Sequence, residues 1–249
     1  MIKGNKTALL FFALTFFCPA VFGQAEIGQN DIGIKFSLEG QSFSKAVNIF
    51  LLLTMLSIVP SLIMMMTSFT RIVIVLNFLK QAMGTQSVPS PKIVSSLALF
   101  LSVFIMYPVY NQVYNDAIIP FSNEELSEKE AIEKGIGHVK DFMLNQTRDS
   151  DLIMFMDLAG QDPVKSAKEL SLRIIIPAFM ISELKTAFQM GFLIYLPFLV
   201  IDLVIATLLM AMGMMMLPPV MISLPFKLLL FILVDGWGLL IYSLVSSFG

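Results

Sequence analysis

The sequence predicts an all-α membrane protein: four apolar helical segments, some broken or re-entrant, plus a helical extracytoplasmic region. Three observations carry that expectation. Of the 249 residues, 57% are hydrophobic and 14% charged, whereas a soluble domain holds about 45–50% apolar and about 25% charged residues. Mean hydropathy is +0.82, and the apolar residues gather into runs close to or above the roughly 20 that a bilayer-crossing helix needs. The longest polar stretch, residues 111–186, carries helix-start signals followed by apolar residues at helical spacing.

The elements follow in order. Residues 1–23 have the layout of a cleaved signal peptide: Lys3 and Lys6, an apolar run from Ala8 to Phe17, then an exit rich in small residues. Cleavage is expected after Gly23, with Ala20 as the next site. Phe17 is too bulky to precede a lipidated Cys18, so the mature chain carries no cysteine. Residues 24–45 form an extracytoplasmic lead, and 46–66 the first apolar helix. Residues 67–92 hold Arg71, Lys80 and Lys92 with no acid, a net +3, and are expected as a basic cytoplasmic-side loop. Residues 93–110 form the second apolar helix.

Residues 111–186 carry thirteen acids and eight bases, a net −5, and are expected as an acidic periplasmic helical region. An exported N-terminus followed by one span predicts the same orientation as the loop charges. Within this region Ser122 to Glu125 and Ser127 to Glu130 both have capping-box spacing. Ile132, Ile136, Val139 and Met143 then recur on one helical face, and 149–158 forms a second helix closed by Gly160. Residues 187–217 are apolar for 31 positions, about 46 Å as one helix against about 30 Å of hydrocarbon, and contain Pro197, Asp202 and Gly213. A long broken helix is expected, its irregular backbone shielded from lipid. A Pro-rich turn at 218–227 leads to the fourth apolar helix, 228–249.

Chemistry is sparse. One cysteine and one histidine fall short of a zinc site, an iron–sulfur cluster, a haem pair or a disulfide. No phosphate-binding glycine loop, Gly-x-Ser-x-Gly elbow or His-x-x-x-His pair is present, so neither an enzyme nor a bound cofactor is expected. A formal charge of −2 gives no footprint for nucleic acid. His138 stands in a polar helical pattern and is expected to be solvated. Asp202 and Asp235 fall inside apolar runs, where a charge costs about 2.5–3.5 kcal/mol on insertion scales. They are expected to make packing or intersubunit polar contacts, as are Arg71, Glu183 and Lys185, the last two being placed to cap the third run or pair across an interface. The alternative is a small ion channel or secondary transporter using Asp202 and Asp235. Methionine fills residues 64–66 and five of the seven positions 210–216. Gap filling is one reading. The other is a deformable collar, with Gly213 permitting a bend and Pro218 and Pro219 stopping the helix, able to gate by dewetting.

Several segments together carry a family resemblance. They are residues 66–72 (MTSFTRI), 98–101 (ALFL) with 104–106 (FIM) and Pro108, 120–122 (PFS), 142–144 (FML) with 146–148 (QTR), 182–189 (SELKTAFQ), 201–206 (IDLVIA), 212–216 (MGMMM) with Pro218 and Pro219, 224–228 (LPFKL) and 234–237 (VDGW). The chain resembles the FliP/SctR family of type III export-gate proteins, with a flagellar rather than injectisome character. The resemblance implies a homo-oligomer that joins FliQ and FliR in a helical cone in the bacterial inner membrane at the flagellar basal body. It also implies a path for unfolded flagellar export substrates, energised through FlhA, FlhB and a separate ATPase. The family's methionine gasket maps onto Met214, Met215 and Met216.

Overall fold

The computed structural model describes residues 42–85, 88–161, 166–214 and 216–249, with side chains from Val47 onward. The expected signal peptide (1–23), nearly all of the lead (24–45) and Met215 lie outside the described residues. Every regular element among the described residues is helical. Among the described residues three helices are long and apolar enough to cross a membrane, or up to four if one bent pair counts as a span.

The chain divides into two units, Met1–Leu62 and Ile63–Gly249. The first contributes most of α1 (Ser42–Met65). Its large side chains are exposed all round, as with Phe50, Leu52, Met55 and Leu56, so lipid or another chain must cover them. The hydroxyls of Thr54 and Ser57 donate to the carbonyls of Phe50 (2.7 Å) and Thr54 (2.8 Å), which pairs these two polar groups within the apolar rod.

The second unit begins with α2 (Phe69–Ala82), a helix where the sequence charges suggested a loop over 67–92. Ile72, Val75, Leu76, Leu79 and Ala82 are buried at i, i+3, i+4, i+7 spacing, which is the signature of a packed helix face. They form a core with Val94 and Ala98 of α3 (Pro91–Val113), Ala187 and Phe198 of α7 (Leu172–Ala211), Phe231 of α8 (Pro219–Leu233) and Leu240 and Leu244 of α9 (Gly236–Ser246).

Helix α3 starts at Ser90, whose hydroxyl accepts from Ile93 N, with Pro91 in the first turn. It runs past the expected end at 110, through a π-turn (Tyr114–Ile118) into α4 (Ile119–Ser122). Ser122 closes this element, donating to the Ile118 carbonyl at 2.9 Å, so it starts no helix and the first expected capping box is absent. The second is present: Ser127 and Glu130 cap α5 (Glu128–Gln146) reciprocally, and these bonds pull the Glu130 carboxyl below its ordinary pKa. On α5, Met143 is fully buried while Ile132 and Ile136 stay exposed. Ile132, Ile136 and Val139 line an apolar cavity of about 480 Å³ with Met66, Met106 and Val113. Helix α6 (Asp149–Ala159) ends at left-handed Gly160, φ 62°. A second core joins Met143 and Leu152 to Leu170, Ile174, Ile175, Ala178 and Phe179.

Helix α7 has 40 residues, about 60 Å. It starts at Leu172, not 187, and continues through Pro177 and Pro197 without the expected break. Glu183 and Lys185, expected just before this helix, lie inside it, and both are paired within the protein. Beyond the methionine loop, α8 takes up most of the expected turn at 218–227, with Pro219 as its first residue. The expected single helix over 228–249 is a pair bent by 65°, broken at Asp235.

Candidate functional site: two buried charge clusters and a methionine loop on one helix

Helix α7 presents three features in succession: a charge cluster near Glu183, a second near Asp202, and the loop beyond Ala211. The first centres on Arg71, whose guanidinium is almost fully buried. Its Nε donates to Glu183 Oε2 at 2.9 Å and Nη2 to Glu183 Oε1. Nη1 reaches the carbonyl (2.9 Å) and hydroxyl (3.0 Å) of Ser247, and Nη2 also donates to Gln146 Oε1 at 3.1 Å. The Phe248 ring lies under the guanidinium carbon at 3.8 Å, a favourable cation–π position. One side chain thus ties α2, α5, α7 and the residues after α9 together.

Asp151 of α6 lies beside this cluster. It accepts from Ser182 Oγ at 2.7 Å and from Lys185 Nζ. Burial acts to raise its carboxyl pKa, but the bonds from Lys185 and Ser182, with the Lys185 and Arg148 charges, outweigh it and hold the carboxyl below its ordinary value. Arg148 donates to Thr186 Oγ1 (3.2 Å) and Gln189 Oε1 (2.8 Å).

The second cluster is built on Lys227 of α8, whose side chain is 3% exposed. Its ammonium donates to Asp202 Oδ2 at 2.6 Å and to the Ala82 carbonyl at 3.1 Å. Buried Ser223 gives Asp202 Oδ1 a hydrogen bond of 2.5 Å. Asp202 therefore has a cation partner that sequence reasoning did not find, and α8 is pinned to both α7 and the end of α2. Asp202 lies nineteen positions beyond Glu183 on α7, about 28 Å of helix. Among the described residues no buried side-chain nitrogen or oxygen lacks a partner, as burial of polar groups in an apolar setting demands.

Arg71 also corrects the loop-charge argument. It counted toward a basic loop on one side of a membrane, yet it bonds to Gln146 and Glu183 of the acidic region assigned to the other side. A guanidinium neutralised inside the protein is not a loop charge.

The remaining expected site residues lie elsewhere. Asp235 is exposed and adopts left-handed backbone, φ 50°, at the corner between α8 and α9. His138 is part-exposed and meets Asp116 at 2.9 Å, so it is paired rather than simply solvated. Gly213, φ 74°, ends α7: its N–H bonds to Met210 O at 3.0 Å, and Met214 N to Leu209 O at 2.9 Å, the double bond of a Schellman turn. Met214 is 42% exposed and Met216 is 98% exposed. Pro218 and Pro219 then open α8.

These residues lie within the span that a known family's model matches. The model of the FliP family matches residues 52–244. The chain belongs to the FliP family. Curated relatives agree. A flagellar biosynthetic protein FliP of Pectobacterium carotovorum subsp. carotovorum is 52% identical over 209 residues, covering 84% of this chain and 81% of its own length. That of Bacillus subtilis (strain 168) is 50% identical over 217 residues, covering 87% and 98%. That of Cereibacter sphaeroides is 49% identical over 217 residues, covering 87% and 72%. In this FliP-family chain the sequence reading named Arg71, Glu183, Lys185 and Asp202 but missed their partners Gln146, Asp151, Lys227 and Ser247. Lys227, a cation within an apolar run, was the available signal.

Proposed function

We propose that the chain is a core subunit of the flagellar type III protein export gate. In this reading several copies assemble with FliQ and FliR in the inner membrane, next to FlhB and FlhA. The assembly passes unfolded flagellar subunits during flagellum construction. The role is non-enzymatic. Family membership carries the proposal, because the curated relatives named above are flagellar biosynthetic proteins.

The physical arrangement supports it. Arg71 of α2, Glu183, Lys185 and Asp202 of α7 and Lys227 of α8 are engaged in internal pairs, and much of the helix surface left over is apolar. On α7 alone Phe192, Leu193, Leu199, Val200, Leu203 and Leu208 are exposed, and sister subunits or lipid would cover them. Met214, Met215 and Met216 are proposed as the collar that seals the path, with Gly213, Pro218 and Pro219 shaping the loop. Cleavage of 1–23 and an acidic region outside the cytoplasm belong to the same proposal. The channel or transporter alternative loses ground, since Asp202 is engaged by Lys227.

Blue-native electrophoresis of the chain co-expressed with its FliQ and FliR counterparts tests the assembly. A single high-mass band containing all three proteins is expected. Migration of each protein alone, with all three in the membrane fraction, would overturn it.

A further inference from the structure

The three cations of residues 67–92 part ways in the structure. Arg71 is consumed by Glu183, whereas Lys80 and Lys92 make no ion pair and no side-chain hydrogen bond among the described residues. Lys80 matters because of where it stands. With Leu79, Ile93, Leu97, Trp237 and Ile241 it lines a cavity of about 330 Å³ between α2, α3 and α9. That volume lies within the range of about 300–1,000 Å³ usual for small-molecule sites. The walls are apolar, so Lys80 contributes its aliphatic stem and carries the ammonium of its half-buried side chain to the rim.

An apolar cavity alone names no occupant, but an unpaired ammonium at its rim does. The occupant has to be apolar along its length and negative at one end. A second copy of the chain does not meet that description. Its least buried apolar helix, α1, contains no acidic residue, so docking it here would cover Lys80 without supplying an anion. An anionic phospholipid meets both conditions. Trp237 shares the cavity with Lys80, and tryptophan and snorkelling lysine both concentrate at the level of lipid headgroups. We propose that this cavity holds one acyl chain of an anionic phospholipid, with the headgroup phosphate engaged by Lys80. The ammonium donates charge-assisted hydrogen bonds to the phosphate oxygens, and the chain fills the space between α9 and the α2–α3 pair. All the lining residues belong to one copy and to the unit Ile63–Gly249, so the site stands or falls separately from the export-gate reading.

Trp237, the sole tryptophan, reports on the cavity directly. The full chain in non-ionic detergent micelles is titrated with phosphatidylglycerol or phosphatidylcholine whose acyl chains carry bromine, which quenches indole fluorescence on contact. Half-quenching is expected at about fivefold less phosphatidylglycerol, the worth of one lysine against an anionic lipid surface. Lys80→Gln breaks no pair within the chain and should bring the two lipids level. Ile93 is 59% exposed, so Ile93→Phe is tolerated by the fold, narrows the cavity and should weaken quenching by both lipids. Equal quenching by the two lipids in the wild-type chain, or a preference that survives Lys80→Gln, would overturn the headgroup contact. Quenching unchanged by Ile93→Phe would place the bromines outside the cavity, and no quenching by either lipid would mean that another chain covers it. Each of those results sinks the proposal. Inorganic phosphate substituted for chloride at equal ionic strength should leave the preference intact, and its loss would mark a site for the free anion instead of a lipid.

Discussion

Replacing Arg71 with Met should be among the most damaging single changes in the chain. The substitution keeps an apolar stem of similar length but deletes both bonds to Glu183, the two to Ser247, the one to Gln146 and the contact with Phe248. Glu183, with 0% of its side chain exposed, is left as a carboxylate without a cation. Breaking a buried pair in this way costs about 3–5 kcal/mol, and each 1.4 kcal/mol is tenfold in an equilibrium, so the folding equilibrium constant should fall roughly a hundredfold to several-thousandfold. Arg71→Lys keeps the charge but not the fork that reaches Glu183, Ser247 and Gln146 together, and should cost about 1–3 kcal/mol. The double replacement Arg71→Met with Glu183→Leu removes both charges and should be milder than Arg71→Met alone. Denaturant titration in mixed micelles, read by the fluorescence of Trp237, the sole tryptophan, gives all four corners of the cycle. A loss below about 1 kcal/mol for Arg71→Met, or additivity within about 0.5 kcal/mol, would refute the reasoning.

Other outcomes are as specific. Asp202→Asn leaves the Lys227 ammonium buried against one carbonyl and a neutral amide, and should lower stability by about 3 kcal/mol and deplete the assembled complex before it alters conduction. Normal complex levels with abolished secretion would contradict that. Gly191→Ala drives a methyl into the Phe78 ring and should cost about 1–3 kcal/mol by overpacking. Phe78→Leu in the same chain should restore part of the loss, and an undiminished melting temperature for Gly191→Ala alone would speak against the close helix contact. Asp151 has a folded pKa below its unfolded value, so its contribution is complete above the unfolded pKa and disappears as pH falls through the folded one. Thermal stability should therefore drop as pH falls through and below the ordinary carboxylate value of 3.8, more steeply in the wild-type chain than in Asp151→Asn, and equal acid limbs would count against the role of this carboxylate. Changing Met214, Met215 and Met216 together to Ala should make the assembled gate leak small ions, as measured by a fall in membrane potential. An intact barrier with verified assembly would remove the collar.

The sequence made the all-helical class legible because apolar runs and the Ser127–Glu130 box are local signals. The end of α6 at Gly160 was legible for the same reason. Boundaries failed where long-range pairing overrode local composition. Glu183 and Lys185 marked a helix end in the sequence, yet Arg71 and Asp151 neutralise them and α7 continues through both. Residues 67–92 read as a loop because three like charges outweighed a clear stripe, Ile72, Val75, Leu76 and Leu79, that becomes the centre of a core. The break at Asp235 was hidden because a left-handed Asp looks like any other Asp in a sequence, and only Gly236 and Gly238 beside it hinted at close packing. Of the candidate site, the residues that needed a partner were legible, whereas the partners lay 112 positions away for Arg71 and Glu183 and 25 for Asp202 and Lys227, beyond any local pattern.

Secretion by living cells tests the export-gate reading most directly. A strain lacking this chain, complemented by the wild-type sequence or by Arg71→Met, is grown in liquid culture, and hook and filament subunits are quantified in cells and medium. The account predicts subunits made inside all strains but present in the medium only with the wild-type chain. Undiminished secretion by the strain lacking the chain would contradict it.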